Sequence, residues 1–199
     1  MSNVINQSHI NQSLAYSEYK RILQQLHSEG KTSGDDQSQE LIEYSNMNIH
    51  RMNRLEKTTV LKQDLLDVLK NITKSYHWVV LSEAWCGDAA QILPVISKIT
   101  ELNSHLELHI LFRDENPEVI SDNLTNGTKS IPKLIILDDN LNKILTWGPR
   151  PKSLMSFVEE YKKKPNFVKE EMINEIQLWY NKDNTNEIQN DFIEILKKL

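Results

Sequence analysis

Hydrophobic positions along this chain change their spacing twice, and the order of those changes predicts the architecture. Between residues 13 and 27, Tyr19, Ile22, Leu23 and Leu26 form one stripe, so a helix is expected there with Ser13 as its cap. The run HSEGKTSGDDQSQ then loses all period and reads as an exposed loop or partly disordered linker. A second helix is expected over 39–56, turning Ile42, Ile49, Met52 and Leu55 inward, with Arg51 and Arg54 on or beside that face, solvated or paired locally.

From residue 58 short β-prone runs alternate with helical stripes. Thr58 to Leu61 is expected as an edge strand, and Lys62 to Thr73 as a helix burying Leu65, Leu66 and Leu69. Strand Trp78 to Leu81 precedes a helix whose face is Ile92, Val95, Ile96, Ile99 and Leu102. After strand Leu106 to Phe112, DENPEV turns into a short helix. Lys133 to Leu137 and Lys143 to Trp147 form a hairpin around Asp138-Asp139-Asn140, and Ser153 to Lys162 closes the unit with Leu154, Phe157, Val158 and Tyr161.

The tail carries two more amphipathic patterns. One covers 167–180 through Val168, Met172, Ile176 and Trp179; the other covers 185–198 through Ile188, Phe192, Ile195 and Leu196. Each needs a cover, supplied by the core domain, a second copy in a homodimer, or a protein partner. The expected division is therefore an N-terminal helical extension (1–57), an α/β domain (58–164) and a C-terminal helical extension (165–199).

The only cysteine lies at the junction of the strand at 78 with the following helix, in Trp85-Cys86-Gly87-Asp88-Ala89-Ala90. A sulfur there sits beside the free N–H groups of a helix N-terminus, which favour a thiolate. Asp88 and Glu83 push against that charge.

Composition narrows the field. The 199 residues are 39% apolar and 26% charged, ordinary for a globular protein, and the net charge of −5 comes without a basic cluster, so neither nucleic acid nor an anionic membrane is expected as a partner. The start of the chain has no basic, apolar leader and no run is long enough to span a bilayer, so a cytoplasmic location is expected. The lone cysteine fits a reducing compartment. Six scattered histidines lack paired metal-ligand spacing, and no zinc, haem or iron–sulfur site is expected from this chain alone.

The stretch SEAWCGDAAQILPVISKI resembles the active-site strand, turn and helix of the thioredoxin superfamily, whose motif is Trp-Cys-Gly-x-Cys followed by a proline eight residues after the first cysteine, here Pro94. KSIPKLIILDD resembles the family's Ile-Pro segment, which implies a cis Ile131–Pro132 bond facing Cys86, and Gly148 matches a family glycine that lets the backbone approach that surface. The resemblance covers roughly residues 58 to 164. It implies a thioredoxin-like α/β fold, a central mixed sheet flanked by helices, here with extra helices at both ends. It also implies a catalytic Cys86 and a substrate surface of Trp85, Gly87, Asp88, Ile131, Pro132, Gly148 and Arg150, with Trp147 beside it.

The departures are specific. Ala89 stands where the family has its resolving cysteine, Val80 where it has a buried carboxylate, and Asp88 where it usually has proline. The first two remove one half-reaction, leaving two readings. One is a single-cysteine exchange on mixed disulfides of protein thiols, turned over by an external low-molecular-weight thiol and needing no cofactor. The other is a thioredoxin-fold binding module that has lost catalysis. Peroxide chemistry at Cys86 ranks below both, because no resolving cysteine exists.

Overall fold

The computed structural model describes residues 4–199; residues 1–3 of the expected N-terminal extension lie outside the described residues. Its centre is a four-stranded mixed sheet in the order β2-β1-β3-β4, built from β1 (Tyr76–Ser82), β2 (Leu106–Phe112), β3 (Lys133–Asp138) and β4 (Lys143–Trp147). β1 and β2 run parallel, pairing His77 with Glu107 and Ser82 with Phe112, while β3 lies antiparallel to both β1 and β4. The central strands β1 and β3 are buried on both faces, as their unbroken apolar runs require.

The helices, in chain order, are α1 (Gln7–Gln12), α2 (Tyr16–Ser28), α3 (Gln39–Thr58), α4 (Gln63–Leu69), α5 (Gly87–Glu101), α6 (Pro117–Ser121), α7 (Lys152–Lys162), α8 (Lys169–Asp183) and α9 (Asn186–Leu196). The terminal helices close onto the core. Phe192 of α9 stacks on Trp78 of β1, with ring centroids 5.5 Å apart, and touches Trp147 of β4 at 5.1 Å. Tyr19 of α2 packs on Phe112 of β2 and its hydroxyl meets Ser82 Oγ at 3.0 Å. The apolar stripes of both extensions are thus covered within one chain, at Tyr19, Leu23, Met172, Ile176, Ile188 and Phe192.

Several expectations are corrected. No strand forms at Thr58 to Leu61: α3 runs on to Thr58, and the following carbonyls are satisfied by side chains, Thr59 O by Lys98 Nζ (2.7 Å) and Val60 O by Gln189 Nε2 (3.1 Å). The outer edge of β2 instead receives Leu14, which exchanges both backbone hydrogen bonds with Ile110 at 2.9 Å. Ser13 is not the cap of α2; it closes the short helix α1, and α2 starts after Ala15. The helix expected over 62–73 stops at Leu69, Leu102 is exposed at the end of α5, and Val168 is exposed before α8.

The polar stretch between α2 and α3 is an exposed loop over most of its length, as expected, with two exceptions. Thr32 and Ser33 are buried, Thr32 Oγ1 meets Ser45 Oγ at 2.5 Å, and Gln37 bonds both the N–H and the C=O of Thr32. Small hydroxyl residues can enter an interior when every polar atom finds a partner, which hydropathy spacing does not register.

Candidate functional site

The cleft forms where β1 ends and α5 begins. Cys86 is the N-cap of α5, in extended backbone conformation, and its sulfur accepts the N–H of Ala89 at 3.4 Å. The same sulfur lies 3.4 Å from the carbonyl oxygen of Ile131, to which its S–H donates. The Ile131–Pro132 and Gly148–Pro149 bonds are both cis. Gly148 adopts φ +108, and a Cβ there would collide with the carbonyl oxygen of Pro132, so this crossing of β4 over the Ile-Pro segment requires glycine.

Cys86 is 6% exposed. Burial is the main force pushing its thiol up to about 12; Asp88 adds to that push, and the backbone N–H groups of Ala89 and Asp88, together with Arg150, only partly oppose it. At neutral pH such a thiol stays protonated. The sulfur is held as a neutral thiol donating to a carbonyl.

Asp88 is 8% exposed, and its partners come from the far end of the chain. One carboxylate oxygen accepts from Arg150 Nε at 2.9 Å and Nη2 at 2.7 Å; the other accepts from the hydroxyl of Tyr180, on α8, at 2.9 Å. Burial and the adjacent Asp88 raise the Tyr180 hydroxyl well above its usual value, so it stays a donor. Arg150, expected as a ligand-binding cation, is thereby neutralised inside the protein.

Glu83, expected to repel a thiolate, is instead pinned. Its carboxylate takes a short hydrogen bond from Ser33 Oγ and one from the N–H of Asp114 at 2.9 Å, while Ser33 Oγ also accepts from the N–H of Ala84 at 2.7 Å. Asn48 of α3 holds the Ala84 carbonyl at 2.9 Å. Burial raises the Glu83 carboxyl pKa, and the two hydrogen bonds work against that rise. The turn before Cys86 is therefore fixed by the linker and by α3.

The open part is a cleft of about 550 Å³. Of the residues expected from sequence, Trp85, Cys86, Gly87, Asp88, Ile131 and Arg150 line it. Pro132 and Gly148 do not; they are the backbone crossing behind Ile131. Trp147 does not line it either, because its ring is buried and its Nε1 donates to Asp191 at 2.8 Å. Sequence reasoning missed Arg51, Arg113, Tyr44 and Gln177, which also line the cleft. Arg113 follows β2 directly and lies over the Trp85 ring, 4.9 Å from its centroid, and also pairs with Asp114 at 2.7 Å. Arg51 is half-buried and donates to Asn48 Oδ1 at 2.8 Å; among the described residues no carboxylate lies within ion-pair distance of it. An arginine beside an inward stripe was the visible signal for Arg51; nothing in the sequence marked Tyr180 or Gln177.

Comparison with known proteins agrees with this fold. Two solved structures share the fold: a protein of unknown function from Pseudomonas aeruginosa (TM-score 0.60, 17% identity, 92% of this chain and 98% of that one) and an HIV epitope-scaffold (TM-score 0.59, 16% identity, 94% and 99%). No curated protein matches the sequence. No described helix is long and apolar enough to cross a membrane. A family model described as Thioredoxin matches residues 34–162, well over half the length, and the chain belongs to the thioredoxin family.

Proposed function

We propose that this protein is a thioredoxin-fold binding protein whose cleft receives an extended, carboxylate-bearing, peptide-like ligand, with Cys86 a neutral contact on the floor. The observation that carries this reading is the state of the sulfur: a buried thiol pushed up to about 12, beside a carboxylate, with its S–H on the Ile131 carbonyl. A nucleophile needs the opposite environment, electropositive and partly open. Ala89 and Val80, which replace the family's resolving cysteine and buried carboxylate, point the same way.

The ligand class follows from the lining. Arg51, Lys129 and Lys169 line the cleft together with Asp36 and Glu40, so a small positive excess is left in a chain of net charge −5 once Asp88 cancels Arg150 and Asp114 cancels Arg113. Trp85 and Tyr44 supply flat apolar contact.

Iodoacetamide labelling of Cys86 against pH tests the reading. A rate that stays low until well above pH 9 is expected, and a thiolate titrating below 8.5 would overturn it. Binding is measured by titrating fluorescein-labelled Glu-rich hexapeptides: Arg51→Ala weakens them, Cys86→Ser does not, and equal affinity for the matching Gln-rich peptides would argue against the ligand class.

A second reading is favoured by one contact, the Ala89 N–H on the sulfur, which would stabilise a thiolate once formed. In it, Cys86 attacks a protein–small-thiol disulfide, keeps the small thiol and releases the protein thiol. A second small thiol then attacks that adduct, leaving as the small disulfide and restoring Cys86. The labelling profile separates the two.

A further inference from the structure

At the opposite end of β1 from Cys86, three side chains that the sequence scatters over 33 residues meet on one sheet face. His77 of β1 pairs directly with Glu107 of β2, and His109 follows two residues on, so strand alternation points all three the same way. His77 Nδ1 lies 3.1 Å from His109 Nε2 and 3.2 Å from Glu107 Oε2, and the last pair, His109 Nε2 and Glu107 Oε2, is 3.6 Å apart. The cluster is unrelated to the cleft, and none of its members lines it.

These separations have a specific meaning. A tetrahedral metal centre with nitrogen and oxygen ligands at about 2.0–2.1 Å has ligand–ligand edges of about 3.3–3.4 Å. The three observed edges average to that length, and the circle through the three donor atoms has a radius of about 1.9 Å, as the base of such a tetrahedron does. An ion seated just above that triangle would reach all three donors without movement of the strands.

The second line of support is the tautomer of His109. Ser13 Oγ donates its single proton to the Ile10 carbonyl at 2.6 Å and also meets His109 Nδ1 at 2.8 Å. With its proton committed, the serine can only accept, so His109 carries its hydrogen on Nδ1 and leaves a bare lone pair on Nε2, the atom in the cluster. This is the arrangement by which a ligating histidine is fixed, its far nitrogen held by an outer partner. Both histidines are partly buried, at 17% and 13% side-chain exposure, whereas Glu107 is 59% exposed and leaves a way in.

We propose that His77, Glu107 and His109 form a binding site for a divalent transition metal of the zinc class, with water as the fourth ligand. Three protein ligands with an open position distinguish it from closed structural zinc sites. The mixed imidazole and carboxylate set favours such a metal over calcium or magnesium, which take oxygen ligands.

The test is equilibrium dialysis of the full chain against zinc chloride, with the visible spectrum of bound cobalt(II) as a report of coordination. One ion per chain is expected, with an intense tetrahedral cobalt spectrum, unaffected by Cys86→Ser. His109→Gln and Glu107→Gln abolish it, and Ser13→Ala weakens it about tenfold. Glu107→Gln decides the matter if the histidine variants fold poorly, because that side chain is exposed; its metal-free circular dichroism and urea midpoint serve as the fold control. Absence of saturable zinc binding, binding that survives Glu107→Gln in a folded protein, or the weak spectrum of six-coordinate cobalt would each overturn the site.

Discussion

The two ends of β1 both carry polar side chains in a largely apolar sheet, and they settle them in opposite ways. At the Cys86 end the buried groups beside the sulfur are answered from within: Asp88 by Arg150 and Tyr180, Glu83 by Ser33 and the Asp114 N–H, the thiol by the Ile131 carbonyl. At the His77 end, two imidazoles and a carboxylate crowd one another, with His77 Nδ1 3.1 Å from His109 Nε2 and 3.2 Å from Glu107 Oε2. A closed network fixes geometry and quiets its groups; the three crowded donors at the other end are the ones proposed above to take a metal ion. The residues that look reactive by sequence position are therefore the quieter ones.

The comparison breaks most clearly at Arg150. Removing it strands a buried Asp88, so Arg150→Ala should destabilise the protein by about 3–5 kcal/mol in urea unfolding. A loss below about 1 kcal/mol would mean that the network is not closed. Ser33→Ala should follow, at about 1–3 kcal/mol, because it leaves both the Ala84 N–H and a Glu83 oxygen short of a partner inside the fold.

The thiol gives a pH signature. Its folded pKa of about 12 exceeds the unfolded value, so above about pH 9 the unfolded chain releases a proton that the folded chain keeps. The contribution is fully present below that pH and falls by about 1.4 kcal/mol per unit as pH rises toward 12. Subtracting the stability profile of Cys86→Ser from that of the parent should isolate it; identical slopes between pH 9 and 11 would contradict the buried thiol. Asp88→Asn should speed Cys86 alkylation at pH 8 about tenfold, since it removes the repelling charge and frees Arg150 to face the sulfur. The smallest effect is expected at the other end, where Glu107→Gln should change metal-free stability by no more than about 0.5 kcal/mol, as its carboxylate is exposed.

How far each feature was legible depended on the range of the interaction that makes it. Trp85-Cys86-Gly87, Pro94, the Ile131-Pro132 step and Gly148 are local backbone devices, and they could be read in order along the chain. The helix stripes through Ile92, Ile96 and Ile99, and through Ile188, Phe192 and Ile195, were legible because burial repeats with the helical period. Thr58 to Leu61 misled for the matching reason. Strand propensity there is real, but a strand exists only where a ladder partner does, and Leu14 holds that edge. Ser33 lies in the expected loop, but its burial escaped notice because it depends on Glu83, 50 residues away.

By itself the sequence determined the thioredoxin-like fold, the place of the lone sulfur at the start of α5, and the absence of a second cysteine, since each follows from near-neighbour pattern and residue identity. Only the tertiary structure decided what that sulfur is and where other chemistry gathers. The ionisation of Cys86 is set by burial, by Asp88 and by the helices that close over them, and the trio of His77, Glu107 and His109 is set by the parallel register of β1 with β2. Charge state and ligand geometry depend on distances through space, and a linear order of residues does not contain those distances until the sheet is assembled.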